Sequence, residues 1–138
     1  MLEQYIGTWV DPEITNFQKY LVASGVGFFV RKIALTIKDT CIMKVEGNKL
    51  SITSESVFKN HTVEWTLNEE CQIETTDGRH FWSTLTFEDG QLVERQRPIK
   101  EEDASKCSII KRRVEGNKFI VECDCFGVVA TFVYIKKE

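Results

Sequence analysis

An excess of positive charge is missing from this chain of 138 residues, in which 18 lysines and arginines stand against 21 aspartates and glutamates for a formal charge of −3. Gripping phosphates needs a basic surface, so direct nucleic-acid binding is disfavoured. Also missing is any apolar run near the roughly 20 residues that span a bilayer as a helix. The opening MLEQYIGTW has neither the basic start nor the apolar stretch of a secretory leader, which sets an expectation of cytoplasmic residence with passage into the nucleus left open. Proline is nearly absent, with Pro12 and Pro98 alone, so little interrupts strand pairing. The cysteines, Cys41, Cys71, Cys107, Cys123 and Cys125, are odd in number and lie among apolar residues, as reduced thiols acting as small hydrophobes do. Cys123 and Cys125 are two apart in a strand-like run, which puts their Cα atoms about 6.6 Å apart, the outer limit for a disulfide. No second ligand pair stands at zinc spacing, so neither metal nor cofactor is expected. Asn60-His61-Thr62 fits the glycosylation sequon but, lacking a leader, reads as chance. The length suits one domain, residues 1–138, able to bury a core without staples.

What is present is regular punctuation. Turn signals recur at Gly47-Asn48, Lys59-Asn60, Asn68-Glu69, Asp77-Gly78, Asp89-Gly90, Gly116-Asn117 and Phe126-Gly127. Between them lie runs rich in β-branched and aromatic residues, such as HTVEWTL, HFWSTLTF and VVATFVYI. This is the pattern of an all-β meander, and a sheet that long must close into a barrel or fold into two packed sheets to hide its edges. The fragments VEGNKL and VEGNKF read as one hairpin chemistry used twice. Polar residues fall on both phases of several strands: Gln96 follows Arg95, and Lys111, Arg112 and Arg113 are consecutive. At least one charge must then point inward, which a packed core does not tolerate without a partner but a wet cavity does.

One segment breaks the strand pattern. In NFQKYLVASGVGFFVRK, Asn16 suits an N-cap, Phe17, Tyr20 and Leu21 share a helix face, and Gly25 suits the left-handed end of a helix. A second helix is expected with Val26, Val30, Ile33 and Ile37 on one stripe. A helical hairpin placed early in an all-β chain packs on a barrel end or a sheet face, as a structural plug or as a lid.

The stretches IGTW, NFQKYL, GVGFFVRK, FKN and ETTDGR, in this order and spacing, resemble the intracellular lipid-binding proteins, which include the fatty-acid-binding and cellular retinoid-binding proteins. The resemblance spans essentially the whole chain. It implies a ten-stranded antiparallel up-and-down barrel of two sheets, with a helix-turn-helix lid between the first two strands and a lipid cavity inside. It further implies that Phe58 gates the entrance, that Phe17 and Tyr20 line the cavity from the first helix, and that Gln96 is a cavity polar group. Arg112 matches the family's inner arginine, with Lys111 the alternative if the following hairpin is drawn one residue differently. Tyr134 matches a tyrosine that helps hold the ligand's carboxylate. The departure is Phe132, which stands where relatives carry a second arginine. Arg97 to Lys106 reads as a longer acidic surface loop. Lys19, Arg31 and Lys32 form a patch that, by the same resemblance, touches anionic membranes or serves an import factor or nuclear receptor.

The function expected from this is non-catalytic binding and transport, by a monomer, of a long-chain fatty acid or a related hydrophobic ligand, including neutral fatty-acid derivatives. The alternatives are a retinoid or other isoprenoid carrier, a lipid-modifying enzyme using Tyr134 and Arg112, and a purely structural β-domain. The enzyme is disfavoured because no base is identifiably paired with those two, and His61 and His80 lie beside predicted turns where water reaches them. With Phe132 in place of an arginine, Arg112, Tyr134 and water are the expected deep polar set, so preference for an acid over its neutral derivative is weakened. Phe132→Arg should shift the binding ratio of an acid to its ethanolamide toward the acid by about 1 to 3 kcal/mol. An unchanged ratio in paired titrations would place the head group elsewhere.

Overall fold

A computed structural model describes residues 2–100 and 107–137. Ten antiparallel strands follow in chain order: β1 (Gly7–Thr15), β2 (Thr40–Glu46), β3 (Lys49–Glu55), β4 (Asn60–Thr66), β5 (Cys71–Glu74), β6 (His80–Glu88), β7 (Gln91–Pro98), β8 (Ser108–Glu115), β9 (Lys118–Cys125) and β10 (Val128–Lys136). Helices α1 (Phe17–Ala23) and α2 (Phe28–Ala34) lie between β1 and β2. Backbone hydrogen bonds run through all ten strands in the order β4-β3-β2-β1-β10-β9-β8-β7-β6-β5. The meander has curled until its first strand pairs with its last, leaving a seam between β4 and β5.

The curl has an identifiable hinge in β1. Pairing with β10 steps from Val10↔Ile135 to Glu13↔Val133, so β1 carries one residue more than its partner, a β-bulge. Asp11 has φ 53 and buried Pro12 follows it, and a proline is tolerated at a bulge because the ladder asks no N–H of it there. Beyond the bulge β1 serves β10; before it, β1 also serves β2 through Gly7, Thr8 and Trp9. The two halves of the expected barrel are thus one continuous sheet bent at β1.

The VEGNK fragments form the same turn. Each two-residue loop joins a Glu–Lys pair, Glu46↔Lys49 and Glu115↔Lys118, with Gly47 at φ 63 and Gly116 at φ 62. Glycine in the first central position with positive φ is the hairpin turn whose twist matches that of the strands. The core gathers around Tyr5, Trp9, Phe119, Met43, Leu50 and Leu92, all essentially fully buried. A single 3-10 turn, Leu2–Tyr5, tucks against β2 and β8, where the Tyr5 hydroxyl donates to the Arg112 carbonyl at 2.9 Å.

Three local expectations need correction. Asn16 precedes α1 but sits left-handed at φ 60 and makes no capping bond; its side-chain amide donates instead to the Val129 carbonyl at 2.9 Å, tying the helix start to β10. The second helix is shorter than its apolar stripe: Val26 lies before it and Ile37 after it. Val26 is taken by the end of α1, where its N–H donates to Leu21 O (3.0 Å) and the Gly25 N–H to Val22 O (3.1 Å), the side chains of Val26 and Leu21 being buried. This is a Schellman ending, with Gly25 at φ 83 in the left-handed position it requires. Finally, Arg97 and Pro98 belong to β7, Pro98 opposite Phe81; residues 101–106 of the expected acidic loop lie outside the described residues.

Gly25→Ala puts a Cβ on a left-handed backbone at the joint of the two helices. It should cost about 1–2 kcal/mol of stability, read as a lowered denaturant midpoint at unchanged slope. An unshifted midpoint would mean that the joint relaxes into another turn.

Candidate ligand-binding site

Strand alternation turns one face of each strand inward, and the side chains there leave a cavity of about 440 Å³ beneath the helices. Its wall is mainly apolar, with Ile52, Val63, Ile110, Phe119 and Val121 from four strands. Cys41 and Cys123 also face it, and burial pushes each thiol up to about 12, so both stay protonated and inert as nucleophiles at neutral pH.

The deep polar residues form two linked groups. In the first, Arg112 on β8 reaches diagonally across the ladder to Glu94 on β7, whose ladder partner is Ile110, and the guanidinium donates to Glu94 Oε1 at 2.8 Å. The other carboxylate oxygen accepts from Ser83 Oγ and from Gln96 Nε2, both at 2.8 Å. Ser83 in turn accepts from the Trp65 indole N–H at 2.9 Å, and the Arg112 guanidinium lies 5.5 Å from the centre of the Trp65 ring. The Glu94 side chain is 1% exposed and that of Arg112 13%. Desolvation works against the charge on Arg112, but the charge and hydrogen bond of Glu94 outweigh it and raise the guanidinium's pKa. In the second group, the Tyr134 hydroxyl donates to Asp39 Oδ1 at 2.7 Å and Ser54 Oγ donates to Asp39 Oδ2. Burial, then the charge of Asp39, hold the Tyr134 phenol well above its ordinary range.

Of the residues singled out from sequence, Arg112, Tyr134, Phe132, Gln96, Phe17 and Phe58 all line the cavity. Lys111 is exposed on the other face of β8, so the inward cation is Arg112. Phe132 packs edge-on against Phe17 at 4.9 Å between ring centres and parallel to Tyr134 at 6.5 Å, filling its place with an apolar wall. Tyr20 does not line the cavity: it is buried in the core with its hydroxyl 2.9 Å from Ser108 Oγ, because the turn of helix that aims Phe17 inward aims Tyr20 at β8. Glu94 and Asp39 were missed, so the deep polar set is not Arg112 and Tyr134 with water alone, and each of those two does have a carboxylate partner. Glu94 was readable, since it lies two residues from Gln96 and so on the same strand face. Asp39 precedes β2, in a segment without a period to orient it.

The seam is closed by side chains. Near the helices, the His61 Nε2 on β4 lies 2.6 Å from the Glu74 carbonyl on β5, so this histidine is a half-buried wall residue rather than a solvated one; His80 is exposed. Deeper, the Trp65–Ser83 bond joins β4 to β6. The ETTDGR turn does related work. Arg79 holds Asp77 at 3.0 Å and extends a guanidinium N–H to the Ser24 carbonyl at the end of α1, at 3.5 Å. Burial alone would raise the Asp77 pKa, but the hydrogen bond and charge of Arg79 win and lower it.

Helix α2 has no buried residue. Val30, Ile33 and Ala34 look into the cavity from it, and Phe58, 51% exposed, faces them from the turn before β4. Phe29 is 81% exposed and Val57 entirely so, making an apolar rim beside the opening. Lys19 and Lys32 are exposed, but Arg31 is half-buried and donates to the Val26 carbonyl at 2.6 Å, so the expected basic patch is reduced by one cation.

No family model matches the chain. It is 42% identical over 135 residues to fatty acid-binding protein homolog 5 of Caenorhabditis elegans, covering 98% of each. Among solved structures, fatty-acid-binding protein 1 of Echinococcus granulosus superposes with a TM-score of 0.87 at 30% identity, covering 99% of both chains. The Schistosoma mansoni fatty acid binding protein, solved in complex with arachidonic acid, superposes at 0.88 with 25% identity, covering 99% of this chain and 98% of that one.

The position of Phe58 over the opening, with few core contacts around it, suits a gate. Phe58→Ala should speed both uptake and release of a fluorescent lipid in stopped-flow traces while leaving the equilibrium constant nearly unchanged. Weaker binding at unaltered rates would make Phe58 a wall residue instead.

Proposed function

Because the chain belongs to the fatty-acid-binding proteins of the intracellular lipid-binding family, we propose that it is a non-catalytic carrier of one long-chain aliphatic lipid, a fatty acid or a derivative of one. The observation that carries this is the 440 Å³ cavity, mainly apolar along its wall with a polar cluster at depth, its opening under a helix that buries nothing of its own. Each methylene removed from water is worth about 0.8 kcal/mol, so an acyl chain readily offsets the cost of association. The exposed Phe29 and Val57, with Lys32 and Lys19 nearby in the helices, suit brief contact with an anionic membrane, where a lipid is picked up or released.

Carriage without catalysis is supported by the chemistry of the polar groups. Tyr134 keeps its proton at neutral pH, Arg112 is held by Glu94, and the thiols of Cys41 and Cys123 are protonated, so none of these groups is poised as a nucleophile. Delipidated protein titrated with a fluorescent fatty acid should saturate at one molecule per chain, and an unlabelled long-chain lipid should displace it. Mass spectrometry of the bound lipid after long incubation should recover it unaltered. Failure to bind any long-chain lipid would defeat the carrier reading, and a chemically altered lipid would make the protein an enzyme.

A further inference from the structure

Resting on the carrier reading, a narrower statement follows from the charges in the cavity. We propose that the site discriminates against an ionised carboxylate and takes an uncharged head group that brings its own hydrogen-bond donors, such as a hydroxyl or an N-acyl amide, with Glu94 as the residue that sets this choice.

Glu94 already occupies the guanidinium that a fatty-acid carboxylate would use. Its two oxygens accept from Arg112, Ser83 and Gln96, each at 2.8 Å, so its charge is already compensated without any ligand, with room for one more donor. An incoming carboxylate has two routes. It can draw Arg112 away, leaving Glu94 buried with neutral donors only, or it can join Glu94 and Asp39 as a third carboxylate near a single cation. The first strips Glu94 of its counter-charge and the second crowds like charges, and both are costly beside side chains as buried as Glu94 and Arg112. Tyr134 offers no relief, because its proton goes to Asp39, and the Ser54 proton goes there too. Phe132 supplies an aromatic edge where a second cation would be needed, and its ring is engaged by Phe17 and Tyr134.

The hydrogen-bonding capacity left over is mostly accepting. Lone pairs remain on Tyr134, Asp39 and Glu94, while the spare deep donors are the guanidinium N–H groups of Arg112 not used by Glu94 and the second amide N–H of Gln96. A ligand matches that set by donating to the carboxylates and accepting from Arg112. A hydroxyl or a secondary amide does both at no net charge, whereas an ammonium has no acceptor to offer and meets Arg112 in the same cavity.

The test compares oleate, its ethanolamide, its glycerol monoester and oleylamine as competitors of one fluorescent probe on delipidated full-length protein at neutral pH. The ethanolamide and the monoester should bind about tenfold or more tighter than oleate, and Glu94→Gln, which keeps the shape and frees Arg112, should move the oleate-to-ethanolamide ratio toward oleate by about tenfold. Should that variant fold poorly, Glu94→Leu with Arg112→Met removes the pair as a unit, and it should bind acid and ethanolamide with little difference. The inference is overturned, with the carrier reading intact, if the native protein prefers oleate or oleylamine. The same holds if the ratio is unmoved in Glu94→Gln or if the double variant keeps the native ratio. Absence of binding by every lipid tested would overturn the carrier reading itself.

Discussion

A charge placed inside a barrel must find its counter-charge inside the same barrel, and the salt bridge of Arg112 with Glu94 is where this chain meets that requirement. Hydrogen bonds from Ser83 and Gln96 complete the shell of Glu94, and the Trp65 indole completes that of Ser83. Four strands, β4, β6, β7 and β8, are thereby joined through side chains at the depth of the cavity. Two of them, β4 and β6, lie on opposite sides of the seam where the backbone ladder is interrupted. The cluster that a ligand's head group would meet is therefore also part of what keeps the barrel closed. All buried side-chain polar atoms among the described residues have a partner, so the cavity carries polarity without stranding any of it.

Loose packing is concentrated at the other end. Helix α1 is anchored by Tyr20, by Phe17 against Phe132, and by Asn16 to β10, while α2 contributes no buried residue. Between them, the Gly25 turn and the Arg79 contact to Ser24 fix where the firmly held helix stops. Local opening starts where few apolar contacts must be broken, so in the proposed carrier α2 and the Phe58 turn are the segments suited to open. A rigid polar floor and a loosely attached roof are the arrangement that lets a site be selective and still exchange its ligand.

Much of this was legible residue by residue. The spaced turns announced a meander, Gly25 announced a helix end, and the paired VEGNK fragments announced one hairpin twice, because turn chemistry depends on the backbone of a few adjacent residues. An inward charge was legible because consecutive Lys111, Arg112 and Arg113 cannot all face out of a pleated strand, while the choice of Arg112 over Lys111 came from the family resemblance. Glu94 had the same signal through its spacing from Gln96 and was passed over, since a single acid between hydrophobic and basic neighbours reads as a surface residue. His61 was misjudged for a related reason: a residue beside a turn is exposed only if no neighbouring strand covers it, and here β5 does.

The order of hydrophobic, branched and turn-forming residues along the chain determined the strands, their meander, the interrupting helices and the presence of charge inside, since each follows from periods of two or 3.6 residues and from the φ that glycine permits. Which groups meet was decided by tertiary structure alone. Asp39 and Tyr134 are 95 residues apart in sequence, and Tyr20 and Ser108 are 88 apart. Their contacts depend on how far the sheet curls at the β1 bulge before β1 meets β10. Local propensity is blind to that closure, because the free energy deciding it comes from burying apolar surface and satisfying polar groups between strands that are neighbours only after the chain has folded.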